Sequence, residues 1–141
     1  MRHQMADLRR FVKGYMCYFD QAVSEIRSGE QKGHWIFMVF PQMKELGYSA
    51  EAKAYGIEDR AEAEAFAADP ELMEYLTGAT QAIIDSGHTP EEIFGYPDEL
   101  KIQACATLFR EVSPQTGVFN EILEKFFRGE PDTKTLELLR A

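Results

Sequence analysis

The sequence predicts an all-α fold: a multihelical single domain of about seven helices. Three observations carry that reading. Apolar residues recur at helical spacing along nearly the whole chain. Helix start and stop signals punctuate it, with Asp69-Pro70 and Thr89-Pro90 as starts and Gly29, Gly87 and Gly95 as stops. Only one short segment reads as a strand, and a lone strand leaves buried backbone groups unpaired at about 1–3 kcal/mol each.

The elements follow in order. Residues 1–6 read as a flexible tail and 7–141 as the helical domain. Leu8, Phe11 and Val12 suggest a short first helix broken at Gly14. Tyr15, Phe19, Ala22, Val23 and Ile26 then line one face of a helix over 15–28. Segment 34–40, "HWIFMVF", has strand-like composition but no partner strand, so it is expected to be a buried helix ended by Pro41. Pro41 could then open a short turn closed by Gly47. "AEAKAY" and "AEAEAFAA" alternate with period two. Ala and Glu are nonetheless strong helix formers and are depleted in strands, so both segments are expected to be helical. Asp59 with Glu62, and Thr89 with Glu92, have capping-box spacing. Leu72, Leu76, Ala79 and Ile83 give the helix after Pro70 an inner face. Segment 97–112 is apolar around most of its circumference, which marks a second buried central helix. Phe119, Ile122, Leu123, Phe126 and Phe127 define the next helix, and Asp132 caps a last one with Leu136 and Leu139 inward.

Composition excludes several functions. The net charge of −9 and the scattered basic residues oppose binding to nucleic acid or to an acidic lipid surface. The longest apolar run falls short of the about 20 residues needed to span a bilayer. The N-terminus lacks the apolar core of a secretory signal. Cys17 and Cys105 lie in apolar helical settings and read as buried, reduced thiols, which points to the cytoplasm.

No P-loop, dinucleotide fingerprint, nucleophile elbow or metalloprotease motif is present, and the three histidines lie far apart. Neither a metal nor a cofactor is expected. Three features rise above this background. His34 opens the most apolar segment, either as an N-terminal cap or satisfied core histidine, or as a general base or ligand donor. Gln42 follows Pro41, where it could bond a freed carbonyl or a ligand. Asp98 and Lys101 open the central helix, as a cap with an i,i+3 ion pair or as a polar pair at a pocket mouth. Tyr55 and Thr107 are weaker ligand-binding candidates. A buried Thr often returns its hydroxyl to its own helix.

The stretches "HWIFMVFPQMKELGYSAEAKAYGI", "IFGYPDELKIQACATLF" and "FFRGEPDTKTLELL" resemble the family known as domain of unknown function 1810, in motif order and spacing, from about Asp7 to Leu139. The resemblance implies a multihelical fold with two central buried helices, and no established activity. Its pattern falls here on His34, Trp35, Pro41, Gln42, Gly47, Tyr55, Asp98, Lys101, Thr107, Leu108, Phe109 and Asp132. This chain departs from it at Gly14-Tyr15, at Phe37 and at Ala104-Cys105-Ala106, so any site built on those positions would be altered. Some members of the family are labelled "calpastatin". That inhibitor is a disordered repeat protein, unlike this compact, non-repetitive pattern.

The sequence therefore favours a binding or regulatory module for a small molecule or a protein partner, as a monomer or small homo-oligomer. The alternative is a small hydrolase or transferase acting on a polar or anionic small molecule. There His34 would be the base, Asp98 would orient it, and Lys101 or Gln42 would hold an anionic or carbonyl group. A structural or oligomerising unit without a ligand is the third reading.

Overall fold

A computed structural model describes residues 7–140, so the expected tail at 1–6 lies outside the described residues. The chain opens with α1 (Arg9–Ser28), whose inner face carries Phe11, Tyr15, Ala22 and Ile26. The expected break at Gly14 does not occur. Gly14 is buried inside the helix, where Met38 and Tyr55 pack against it, and the flanking residues supply enough apolar surface to carry the helix through. Gly29, at φ 91°, caps the C-terminus and donates its N–H to the carbonyls of Glu25 and Ile26.

The expected central helix at 34–40 shrinks to a single turn, α2 (Ile36–Val39). Its start is delayed because the backbone at 32–33 is held to Glu25 of α1. Its end is set by Pro41, before which Phe40 leaves helical geometry at φ −120° and ψ 77°. Pro41 then opens no helix. Met43 is extended, at φ −58° and ψ 137°, and forms one parallel bridge with Ile57. A 3₁₀ turn (Lys44–Leu46) follows and does close at Gly47. At Gly56 a Cβ would lie 2.5 Å from the Lys44 Cα, so the close approach of these two segments requires glycine.

Both alanine–glutamate segments are helical: α3 (Ala50–Ala54) and α4 (Arg60–Ala67). Ser49 caps α3 by accepting the Ala52 N–H, and Asp59 caps α4 by accepting that of Glu62. Next come α5 (Pro70–Asp85), α6 (Pro90–Phe94) with the complete Thr89/Glu92 capping box, α7 (Glu99–Val112), α8 (Gly117–Phe127) and α9 (Thr133–Arg140). The described residues thus hold nine α-helices rather than about seven. Three of the nine, α2, α3 and α6, are only four or five residues long.

The fold is all-helical, and α1 and α7 anchor its two sides. α1 packs on α5 and α2; α7 packs on α4, α6, α8 and α9. A chain of rings joins the two sides: Phe11 to Phe66 at 5.2 Å, Phe66 to Phe109 at 4.8 Å and Phe109 to Phe119 at 5.9 Å. α7 is buried as expected, with Ile102 and the whole run from Ala104 to Phe109 in the core. Cys105 lies in that run, and burial pushes its thiol well above the ordinary range. Cys17 differs from expectation: it sits on the outer face of α1 beside exposed Met16 and is itself exposed. Among the described residues no helix is long and apolar enough to cross a membrane.

Candidate functional site

The loop between α1 and α2 is built around Glu25. One carboxylate oxygen accepts the N–H groups of Lys32 (2.7 Å) and Gly33 (3.0 Å) and the indole N–H of Trp35 (2.8 Å), and the other accepts the Gln21 amide (2.9 Å). Burial alone would raise this carboxyl, but the donors from Gly33, Lys32, Trp35 and Gln21 outweigh it and bring the pKa down to about 2. Trp35 is fully buried as a result. His34, between two clamped neighbours, is turned out to solvent, and its imidazole makes no hydrogen bond among the described residues.

The far side of this loop rests on α6. Gln31 donates its N–H to the Ile93 carbonyl (2.8 Å), and the Phe94 ring meets Trp35 at 5.8 Å and Phe40 at 6.1 Å. From Phe94 the chain turns through Gly95 and a cis Tyr96–Pro97 bond directly into α7. Asp98 ends that turn and Lys101 lies in the first turn of α7, and an ion pair of 2.7 Å joins them. Asp98 stands at the cap position but bonds Lys101 rather than a helix N–H. Beside it, Glu99 keeps Oε1 buried with no hydrogen-bond partner. Desolvation, with Glu91 and Asp98 nearby, raises its pKa, against the opposing pull of the backbone N–H groups of Glu99 and Leu100. Tyr96 is 75% exposed and Leu100 42% exposed.

The remaining sequence candidates lie elsewhere. Gln42 is buried and its carbonyl accepts the Ile57 N–H, but its side-chain amide forms no hydrogen bond among the described residues. Tyr55 packs its half-buried ring on Phe37 at 6.0 Å. Thr107 donates its hydroxyl to the Gln103 carbonyl (2.8 Å) and accepts the Asp132 N–H (2.9 Å), which fastens the start of α9 to α7. The structure therefore joins Asp98 to Lys101 and sets the loop of His34 against the helix leading to them. No hydrogen bond, ion pair or ring contact joins His34 or Gln42 to that pair. The departures from the family pattern at 104–106 are all buried.

A second polar cluster sits at the start of α1, lining a recess of about 440 Å³ with Asp7, Arg10, Lys44, Lys53, Glu58 and Glu62. Arg10 makes five bonds: to the carbonyls of Ala54, Gly56 and Asp7 and to both oxygens of Glu62. A guanidinium has five N–H donors, so Arg10 has none left for a ligand. Lys44 pairs with Glu58 at 3.3 Å. These bonds make the cluster a rivet between α1 and the α3–α4 connection. Among the described residues no group of three His, Cys, Asp or Glu is placed to hold a metal ion.

Sequence reasoning missed Glu25, Glu99 and the Arg10–Glu62 pair. Arg10 and Glu62 are 52 positions apart and no local pattern links them. Glu99 carried one signal, an acidic residue in the first turn of the most apolar helix.

No curated protein matches the chain. A solved structure does: the "conserved hypothetical protein Rv1873 from Mycobacterium tuberculosis" is 37% identical and superposes with a TM-score of 0.89, covering 96% of this chain and 97% of its own. The family described as "Protein of unknown function (DUF1810)" matches residues 5–139, and this chain belongs to it.

Proposed function

We propose that this protein is a binding module without catalytic chemistry of its own, and that its recognition surface is the corner where α6 turns into α7. One observation carries the reading: at this corner a buried carboxylate oxygen, Glu99 Oε1, has no partner. Buried polar atoms are ordinarily satisfied, and this orphaned acceptor, closed to solvent, costs about 1–3 kcal/mol that a rearrangement of the corner around a ligand donor would recover. The recess at Arg10 offers the opposite, a guanidinium with every donor used.

The hydrolase or transferase reading has less support. A base needs a nucleophile and an orienting partner within hydrogen-bond reach. The His34 imidazole has neither, the Asp98 carboxylate is held by Lys101, and the Thr107 hydroxyl is already shared between Gln103 and Asp132. Two unpaired thiols, Cys17 and Cys105, favour a reducing cytoplasm as its location. Amide-resolved NMR of the ¹⁵N-labelled protein against pooled metabolites and peptides tests the proposal. Shifts should cluster at Tyr96 to Lys101. Turnover of an ester or phosphoester panel that is abolished by His34→Ala would establish an enzyme instead.

A further inference from the structure

We propose that Gln42 is the centre of a second binding site, which takes the carbonyl edge of a neutral primary carboxamide or lactam. The site uses none of the α6–α7 corner residues, so the two readings can fail separately.

Gln42 is 6% exposed, and its side-chain amide forms no hydrogen bond among the described residues. The other buried polar side chains, Glu62, Thr80, Thr107, Ser113 and Thr135, all have partners. Among the described residues the buried side-chain atom that is both unpaired and closed to solvent is Glu99 Oε1. The Gln42 amide is unpaired but not closed, so it keeps a water-sized opening that a carbonyl oxygen can enter. The backbone adds donors. The N–H groups of Gln42 and Met43 donate to nothing among the described residues, although both residues are buried. More than about 90% of buried backbone N–H groups are paired, so two orphans in succession set this segment apart. Its carbonyls are already used: that of Gln42 takes the Ile57 N–H and that of Met43 the Leu46 N–H. Free donors thus outnumber the free acceptor, Gln42 Oε1, and a ligand must bring a carbonyl. Lys44, the next residue, is neutralised by Glu58 at 3.3 Å, and the chain carries a net −9, so a carboxylate is repelled and a neutral carbonyl is not. An amide with N–H and carbonyl on one edge matches both atoms of the Gln42 amide, as glutamine pairs bidentately with the edge of a base. A trans secondary amide carries the two groups on opposite sides and matches only one. The residue is also held ready for a ligand: Phe40 and Pro41 are buried before it, and the Met43–Ile57 bridge fixes the chain after it.

The test follows the Gln42 side-chain NH₂ and the backbone amides of residues 42–44 and Ile57 in ¹⁵N spectra of the labelled protein. Four probes are titrated: propionamide, uracil, N-methylacetamide and propionate. Propionamide or uracil should shift these resonances saturably, at roughly millimolar concentration for so few atoms. Either should bind about tenfold or more tightly than N-methylacetamide or propionate. Saturation by propionamide alone assigns a carboxamide and by uracil alone a lactam-bearing base, and each supports the site. Gln42→Met keeps the side-chain length and loses no protein hydrogen bond, so it should melt no lower than the parent while binding about tenfold more weakly. Gln42→Glu keeps the shape and removes the donors, and it gives the same readout should the methionine disturb the fold. Equal response to propionate or N-methylacetamide, or unchanged binding in both variants, would overturn the inference. So would the absence of any saturable shift, the amide then being only hydrated.

Discussion

Glu25 and Glu99 are both partly buried carboxylates, and the structure treats them in opposite ways. Glu25 collects four donors, so its folded pKa of about 2 lies below the ordinary 4.5. Its contribution to stability is therefore complete above pH 4.5 and is lost as pH falls toward 2. Glu99 lacks a partner for one oxygen and its folded pKa is raised. Folding therefore favours its protonated form, and stability falls as pH climbs from 4.5 through the raised value. Two outcomes follow. Glu25→Ala should cost about 2–3 kcal/mol near neutral pH by stranding the Trp35 indole N–H, and the acid limb of the unfolding curve should flatten. Glu99→Gln should raise the melting temperature at neutral pH, with the gain vanishing below pH 4.5. A lowered melting temperature at neutral pH would show that Glu99 is satisfied in solution. Trp35→Ala should cost about 3–5 kcal/mol in a denaturant titration, because the ring is fully enclosed beside Phe40 and Phe94.

Among the elements, the helices with a full apolar period were legible. Leu72, Leu76, Ala79 and Ile83 face inward in α5, and the apolar circumference of 97–112 became buried α7. The alanine–glutamate segments were read correctly only because propensity was weighed above a period-two pattern. Legibility ended where tertiary bonds set the limits. Nothing in "HWIFMVF" announces that Glu25, seven to ten positions upstream, will pin the backbone and the indole so that a single helical turn remains. Gly14 misled for the converse reason, since it lies within an unbroken helix instead of ending one. Glycine in a helix interior costs about 0.5–1 kcal/mol relative to alanine. A Cβ at Gly14 would meet Met38 Cβ at 3.5 Å, and one at Gly78 in α5 would meet the Phe19 ring at 3.5 Å, both ordinary contacts. Gly14→Ala and Gly78→Ala should therefore each stabilise the protein by about 0.5–1 kcal/mol in urea. Destabilisation at Gly14 would mean that the α1–α2 contact is tighter than this geometry.

At the scale of the molecule, the ring chain from Phe11 through Phe66 and Phe109 to Phe119 ties α1, α4, α7 and α8 into one core. The sequence offered Phe11 and Phe119 as inward positions and Phe109 within the apolar segment 97–112, without singling out Phe66 or revealing which rings would meet. It also left Arg10 among scattered surface charges, because a pair 52 residues apart has no periodic signature. Yet this pair decides how the α3–α4 connection closes on the start of α1. Glu62 is 8% exposed and takes the Glu58 N–H as well as the guanidinium, so deleting Arg10 leaves a carboxylate mostly enclosed with its main counter-charge gone. Breaking a buried pair by removing one partner costs about 3–5 kcal/mol; with the Arg10 side chain 34% exposed, about 2–3 kcal/mol is expected for Arg10→Ala. Glu62→Ala should cost a similar amount, since Arg10 and the Glu58 N–H both lose an acceptor. The double variant should then be less destabilised than the sum by about 1–3 kcal/mol, the coupling energy of the cycle. Arg10→Lys should recover only part of the loss, because an ammonium, with three N–H donors, cannot bond three carbonyls and both carboxylate oxygens at once. Strict additivity in urea unfolding would mean that the two residues act separately and that the recess is not held by this pair.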